Sequence, residues 1–427
     1  MSRGSSHNLD VIVLGAGIVG ISTALMLARE GLSVATVDRR TTPGQETSHG
    51  NAGLIEASSI VPYHFPQELG TLFRYGLNNR ADMHYAPLHM PRIARWLWSF
   101  RQASAPGPLA ASARALRPLI DSCTETHAEL ADMSGNNAWQ LIRKEGWMEV
   151  FESDSDFAGA PQMLEEGHRQ GLKAELLDAS ALQAKEPALK QGSAAGAIHW
   201  LDPWTVTDPG ELVRVYAGAL ENIGGLVLRG DAGGLRRVGD KWHVSLEDGG
   251  VVEAPRVVIC LGPWSGVLLE RFGIRLPMEV KRGYHMIYEM DPESMPRHPL
   301  MQRDGGYVLA PMDAGLRLTT GIEFAPFGAA PNSVQVDRAE KLARKLFDLG
   351  PRKLAEPWLG RRPCLPDMRP IIGAVEENRL PGMFANFGHA HHGLTLGPAT
   401  GKMLAQMMTG QVPYVDVAPF GIGRYLR

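Results

Sequence analysis

Hydrophobic and polar positions change period near the start of the chain in a way that dictates three successive elements. Val11 to Leu14 is an uninterrupted apolar, β-branched run, the pattern of a strand covered on both faces. From Ile18 the apolar positions Ile18, Ile21, Leu25 and Ala28 recur at helical spacing, and Gly31 stands where such a helix stops. Ser33 to Val37 reads as a second strand and ends in Asp38. The order predicts a βαβ unit with its strands parallel.

Later elements are less regular. Leu109 to Met133 reads as a long helix, interrupted or started afresh at Pro118. A strand signal begins at Gly146, helical patterns follow from Ala160 to Gln170 and near Ala181, and no internal repeat is visible. Asp208 as N-cap, Pro209 in the first turn and Glu211 reaching back predict another helix, closed by Gly224 and Gly225. Beyond it come a strand from Leu226 to Gly230, a hairpin around Asp248-Gly249-Gly250 and the apolar strand Val257 to Cys260. Lys281–Met286, Gly305–Pro311 and Gly315–Phe324 read as strands of a second sheet.

The turn between the first strand and its helix is Gly15-Ala16-Gly17-Ile18-Val19-Gly20, a G-x-G-x-x-G. Gly15 allows the tight turn, Gly17 lets backbone approach a pyrophosphate, and Gly20 lets the helix pack close to the strand. The backbone of Ala16, Ile18 and Val19 completes the turn, at a helix N-terminus whose amides and dipole favour phosphate. Asp38 follows at the spacing, about 20 residues on, where a carboxylate takes the ribose hydroxyls. Glycine-rich turns occur in ordinary strand-turn-helix units. Here the flanking strands, the helical stripe and the terminal acid together make a candidate dinucleotide site, open to NAD or FAD.

At 427 residues the chain is long enough for two domains with their own cores. Its 44% hydrophobic and 21% charged content is that of a folded chain, and a net charge of −3 removes the electrostatic case for nucleic acid. Cys123, Cys260 and Cys364 are too few and too scattered for a disulfide framework or a zinc site, so reduced thiols in a cytoplasmic protein are expected. No secretory signal and no bilayer-spanning apolar stretch are evident, and Met1 to Asn8 reads as a disordered polar leader. Arg92, Arg95, Trp96, Trp98, Phe100 and Arg101 form a basic-aromatic stretch. It suits peripheral contact with the inner face of a membrane or, the preferred reading, a partly buried helix.

After Arg39 and Arg40 the chain enters a segment dense in Gly, Ser, Thr and Asn. A flavoprotein must hold a large isoalloxazine by backbone contacts, which a nicotinamide enzyme need not do, so this loop tips the choice to FAD. Its phrase Glu46-Thr47-Ser48-His49-Gly50-Asn51-Ala52-Gly53 resembles the flavin loop of the FAD-dependent D-amino-acid oxidase and dehydrogenase superfamily, in its bacterial D-amino-acid dehydrogenase branch. The resemblance continues through Gly305-Gly306-Tyr307-Val308, Trp358-Leu359-Gly360-Arg361-Arg362-Pro363 and Asn386-Phe387-Gly388-His389-Ala390-His391-His392-Gly393-Leu394-Thr395. It covers nearly the whole chain. It implies an α/β fold, with a Rossmann-like, glutathione-reductase-like FAD domain (1–56, 201–265 and 357–427). An α+β substrate domain on a mainly antiparallel sheet (57–200 and 266–356) is interleaved with it.

The resemblance also implies a site. Arg39, Thr47, Ser48, Asn51, Ala52, Gly53 and Leu54 belong with the cofactor, and Ala232, Gly262 and Trp264 lie near its adenosine and diphosphate. Gly388, His389, Gly393, Leu394 and Thr395 belong to a glycine-rich phrase that opens a helix from Ala399 to Met408 aimed at the flavin, whose dipole stabilises negative charge there. Arg362 takes the position that pairs with a substrate α-carboxylate, a task suited to the planar guanidinium fork. Tyr307 reaches the same group, and His49 is a third catalytic candidate. Gly360 stands where sarcosine oxidases attach their flavin, so FAD is expected to be non-covalent. The histidines His389, His391 and His392 have no second ligand cluster, and no metal is expected.

The implied activity is oxidative deamination of a D-amino acid or of a cyclic imino acid such as D-proline or hydroxy-D-proline. Hydride passes from Cα to flavin N5, an imine or keto acid results, and electrons leave to a quinone or other acceptor. His49 and the phrase from Gly388 to Leu396 depart from the alanine-type dehydrogenases, which leaves the side-chain preference open. The alternatives are a glycine- or sarcosine-type oxidase using oxygen and a tRNA-modifying flavoprotein.

Overall fold

The structure, a computed structural model, describes residues 9–303 and 305–426. The leader Met1 to Asn8 lies outside them. The βαβ unit forms as β1 (Val11–Leu14), α1 (Ile18–Arg29) and β2 (Val34–Asp38). β1 runs parallel to β2 on one side and to Arg256–Ile259 on the other. Leu226–Val238 continues the parallel array beyond β2, as Met383–Phe387 does beyond Arg256–Ile259. Antiparallel strands complete the edges of this eight-stranded sheet. Its central place explains why β1 is apolar throughout instead of alternating.

α1 packs closely on the helix Gly393–Met408. A Cβ at Gly397 would lie 3.3 Å from Ile18, and one at Gly401 would lie 3.0 Å from the Ser22 carbonyl carbon. Glycine at both positions therefore permits the close crossing. Leu116, Leu119, Ile120, Cys123 and Leu130 join the same core. The helices Pro106–Asp121 and Cys123–Ser134, grouped by sequence with the second domain, thus bury their apolar faces on the first sheet's helical layer. The break between them falls at Ser122, four residues after the expected place. Pro118 is tolerated inside the helix, and its carbonyl still accepts from the Ser122 amide at 3.2 Å.

The second sheet has ten strands and is mainly antiparallel. Glu279–Tyr288 pairs with Gly315–Thr319 on one side and with Trp358–Cys364 on the other. The last strand was grouped by sequence with the cofactor domain, but its ladder, from Glu279 opposite Cys364 to His285 opposite Trp358, makes it part of the second sheet. From there the chain crosses to Ile371–Ala374 in the first sheet. A bridge between Cys364 and His389, with the Ala390 amide donating to the Pro363 carbonyl at 3.0 Å, ties the crossing down. The helix Met90–Ala103 buries Ile93, Trp96 and Phe100 and leaves Trp98 exposed, as a partly buried helix should. Among the described residues no helix is long and apolar enough to cross a membrane.

Candidate active site

One cavity of about 860 Å³ is lined by residues of both large sheets. At one end lie Gly15, Gly17, Ile18 and Val19, the start of α1, which has no side-chain cap. Side chains are excluded here by geometry: Gly15 has φ +103°, and a Cβ on it would lie 2.6 Å from the Cys260 carbonyl oxygen. Gly20 is set behind the wall, where a Cβ would meet the Gly15 carbonyl at 1.8 Å. Ala16 is also behind it, its amide donating to Asp38 Oδ2 at 2.7 Å, while Asp38 Oδ1 accepts from the Arg40 amide at 2.7 Å. The Asp38 carboxylate is thereby oriented at the cavity edge. Ala232, Gly262 and Trp264 line the same end, with the Arg39 guanidinium 4.3 Å from a Trp264 ring centre.

The loop after β2 supplies the middle of the cavity through Thr47, Ser48, Asn51, Ala52 and Leu54. Ser48 Oγ accepts from the Ile18 amide at 3.0 Å, and Thr47 Oγ1 donates to the Arg361 carbonyl at 3.0 Å. Gly53 shapes the loop from behind: its φ is +76°, and a Cβ would lie 2.4 Å from the Val206 carbonyl oxygen. Arg317, which sequence reasoning missed, braces the loop by donating to the carbonyls of His49 at 2.9 Å and Asn51 at 2.6 Å. The available signal was an arginine flanked by two leucines in the strand Gly315–Thr319.

His49 does not take the catalytic place expected of it. Its ring sits outside the cavity lining, 6.0 Å from His285 and 5.9 Å from Trp358, and packs near the start of the helix Pro209–Asn222. Burial, with Arg317 adding to it, holds its pKa below the usual histidine range.

Gly388, His389, Gly393 and Leu394 line the cavity where the helix Gly393–Met408 begins without a side-chain cap. Its first amides and dipole are directed there. His389 bonds Thr400 Oγ1 at 3.0 Å, and burial pushes its pKa down to about 3, so it is neutral. Thr395 is behind the wall, donating to the Leu54 carbonyl at 3.3 Å and accepting from the Glu56 amide at 3.1 Å. Glu56, His391 and His392 offer ligand atoms within 4.8 Å of one another. His392, however, bonds Ser59 Oγ at 3.0 Å, and the fields of Arg362 and Lys281 at His391 oppose a metal cation.

Across the cavity, Arg362 donates from Nη1 to the Gly321 carbonyl at 2.7 Å and from Nη2 to the Thr320 carbonyl at 3.2 Å. Gly283 on the neighbouring strand makes room for it, since a Cβ there would lie 2.6 Å from Arg362 Nη2. Burial lowers the guanidinium's pKa, yet it stays charged. Tyr307 is a correction. Gly306 and Val308 line the cavity, so strand alternation sends Tyr307 into the core of the second sheet, where it is 1% exposed. Its hydroxyl makes no hydrogen bond among the described residues. Tyr63, from a loop with no periodic signal, lines the cavity instead; it is 57% exposed, with its ring 4.3 Å from that of His391.

The fit to a dinucleotide is steric as well as chemical: Cβ atoms are missing where phosphates need backbone, and two uncapped helix starts converge on one cavity. Together with the guanidinium on the opposite wall, this is the site of a dinucleotide-dependent oxidoreductase. The model of the FAD dependent oxidoreductase family matches residues 10–407, and the chain belongs to that family, with FAD as its cofactor.

A D-amino-acid oxidase of Bradyrhizobium diazoefficiens is 29% identical over 429 residues, covering 97% of this chain and 99% of the relative. A D-amino acid dehydrogenase of Chromohalobacter salexigens is 26% identical over 422 residues, covering 98% and 100%. Among solved structures, glycine oxidase from Geobacillus kaustophilus matches with a TM-score of 0.73 at 20% identity, over 99% of this chain and all of that one. L-proline dehydrogenase from P. horikoshii matches at 0.68 and 17%, over 97% of both. These structures share the fold.

Proposed function

We propose that the protein is an FAD-dependent D-amino-acid dehydrogenase, oxidising the Cα–N bond of a D-amino acid or of a cyclic imino acid such as D-proline or hydroxy-D-proline. The observation that carries this is Arg362: a guanidinium in the cavity wall, held by two backbone carbonyls and in no ion pair among the described residues. Such a group is built to take a carboxylate from solution. FAD, when bound, supplies the acceptor for the hydride that leaves Cα. The chain's own residues do the rest by positioning. Arg362 fixes the carboxylate, and Tyr63 and His391 close the wall beside it. The glycine cradle, Asp38 and the two helix starts hold the cofactor. The imine then hydrolyses to a keto acid, or persists as a cyclic imine when the substrate is a proline.

The relatives named D-amino-acid oxidase and D-amino acid dehydrogenase support the reading. Electrons pass to a quinone or other carrier, and the helix Leu69–Gly76, which buries none of its residues and exposes Leu69 and Phe73, supports peripheral membrane contact. The test is anaerobic mixing of the holoenzyme with D- and L-amino acids, prolines included, while oxidised-flavin absorbance is followed. Bleaching by D-amino or imino acids is expected; bleaching by none of them removes the reading. Peroxide yield under air separates an oxidase from a dehydrogenase.

A further inference from the structure

Lys281 has no role in the reading above, and its environment demands one. It lies on the strand Glu279–Tyr288 directly opposite Arg362, so the two side chains share a face of the second sheet. It is only 5% exposed, and it lines the cavity. Among the described residues its ammonium makes no hydrogen bond and no ion pair. Its Nζ sits 4.2 Å from the Phe100 ring centre and 5.6 Å from that of Trp96, contacts that offset only part of the lost hydration. Around it the wall is apolar, with Phe100, Leu97, Phe324 and Met368.

The charges nearby do not balance. Arg362 and Lys281 are both cationic side chains, His391 between their fields is kept neutral, Glu56 is the carboxylate that bears on Arg362, and Glu279, two residues before Lys281 on its strand, is engaged instead with His89 at 3.7 Å. An ordinary zwitterionic amino acid brings one carboxylate and one ammonium and leaves the surplus in place. A substrate with a second carboxylate removes it, and does so where the apolar wing would otherwise enclose a bare cation.

We propose that Lys281 is a subsite for a second anionic group, so that the preferred substrate is a D-amino or imino acid carrying a side-chain carboxylate. The assignment rests on the amino-acid reading for its substrate, while the anion subsite itself is tested without turnover. The holoenzyme is titrated with succinate, glutarate and butyrate, following the flavin absorbance change and the heat of binding. One of the dicarboxylates binds about tenfold or more tighter than butyrate. In Lys281→Met that ratio collapses towards one, and in Lys281→Arg it is retained. In the turnover arm, D-glutamate exceeds its neutral isostere D-glutamine in kcat/KM in the same proportion, and K281M abolishes the difference.

Equal binding of mono- and dicarboxylates by the unmodified holoenzyme overturns the proposal whatever the variants do, and so does a preference that survives K281M. If the dicarboxylate preference holds while no amino acid reduces the flavin, the subsite stands and the amino-acid reading falls. If D-glutamine and D-alanine reduce the flavin as well as D-glutamate does, the reading stands and the subsite falls.

Discussion

Replacing Arg362 by Met tests whether the guanidinium anchors the substrate or merely braces the turn at Thr320-Gly321. In the wild-type protein its terminal nitrogens donate to the carbonyls of Gly321 at 2.7 Å and Thr320 at 3.2 Å, leaving further N–H groups for a ligand. Met keeps the length and apolar stem but leaves a substrate carboxylate in the cavity without a partner. Removing one member of a buried, hydrogen-bonded charge pair costs roughly 2–5 kcal/mol. At about 1.4 kcal/mol per factor of ten, kcat/KM for the best substrate should fall about 30- to 4,000-fold.

Lys at the same position retains charge but not the fork and should recover only part of the loss. Gly283→Ala provides an independent route, because its Cβ would press on Nη2 from 2.6 Å and displace the guanidinium without removing it. The assay is anaerobic stopped-flow reduction of the bound flavin, with flavin content and melting temperature as controls. An R362M holoenzyme of normal flavin content that reduces within about tenfold of wild-type kcat/KM would refute the assignment.

Asp38→Asn weakens two charge-assisted bonds to the amides of Ala16 and Arg40, so FAD affinity should fall about ten- to a hundredfold, measured by titrating the apoprotein. Acid precipitation should release all the flavin into the supernatant, because the position expected to carry a covalent link is Gly360; colour retained in the pellet contradicts this. Burial holds His127 at a pKa of about 4, His389 at about 3 and His285 at about 2. These are depressed below the unfolded value near 6.5, so the unfolded state binds more protons and stability is lost as pH falls below that value. The loss is about 2 kcal/mol per histidine by pH 5, before most carboxylates titrate. Urea midpoints at pH 7 and pH 5 should show it, and His127→Asn should reduce the difference by about a third.

What could be read from the sequence was what depends on neighbours in the chain. The βαβ unit, the cap at Asp208 and the loop from Glu46 are local patterns, and all three form; the helix expected from Ala399 to Met408 forms too, but starts six residues earlier, at Gly393, with Pro398 inside it. Arg362 was found because its phrase carries the resemblance. What failed was phase and partnership. Tyr307 was chosen one residue out of step with the side of the strand that faces the cavity, a distinction that alternation alone does not set once both faces are apolar. Tyr63 and Glu56 come from irregular segments. Lys281 acquires its meaning only from the ladder that sets it beside Arg362, about 80 residues further along the chain. A lysine inside a strand-like run, Lys281 after Val280, was the available clue.

The crossing from Trp358–Cys364 to Ile371–Ala374 has a mechanical consequence. Arg362, the proposed substrate anchor, sits two residues before Cys364, which is bridged to His389 just ahead of the helix Gly393–Met408. Anchor and helix are thereby clamped to one short span of main chain, and no joint between lobes intervenes. Reach across the reaction centre is a property of the fold at rest, so turnover needs a way in for the substrate and no pincer movement. Small-angle scattering profiles with and without a bound carboxylate should overlay.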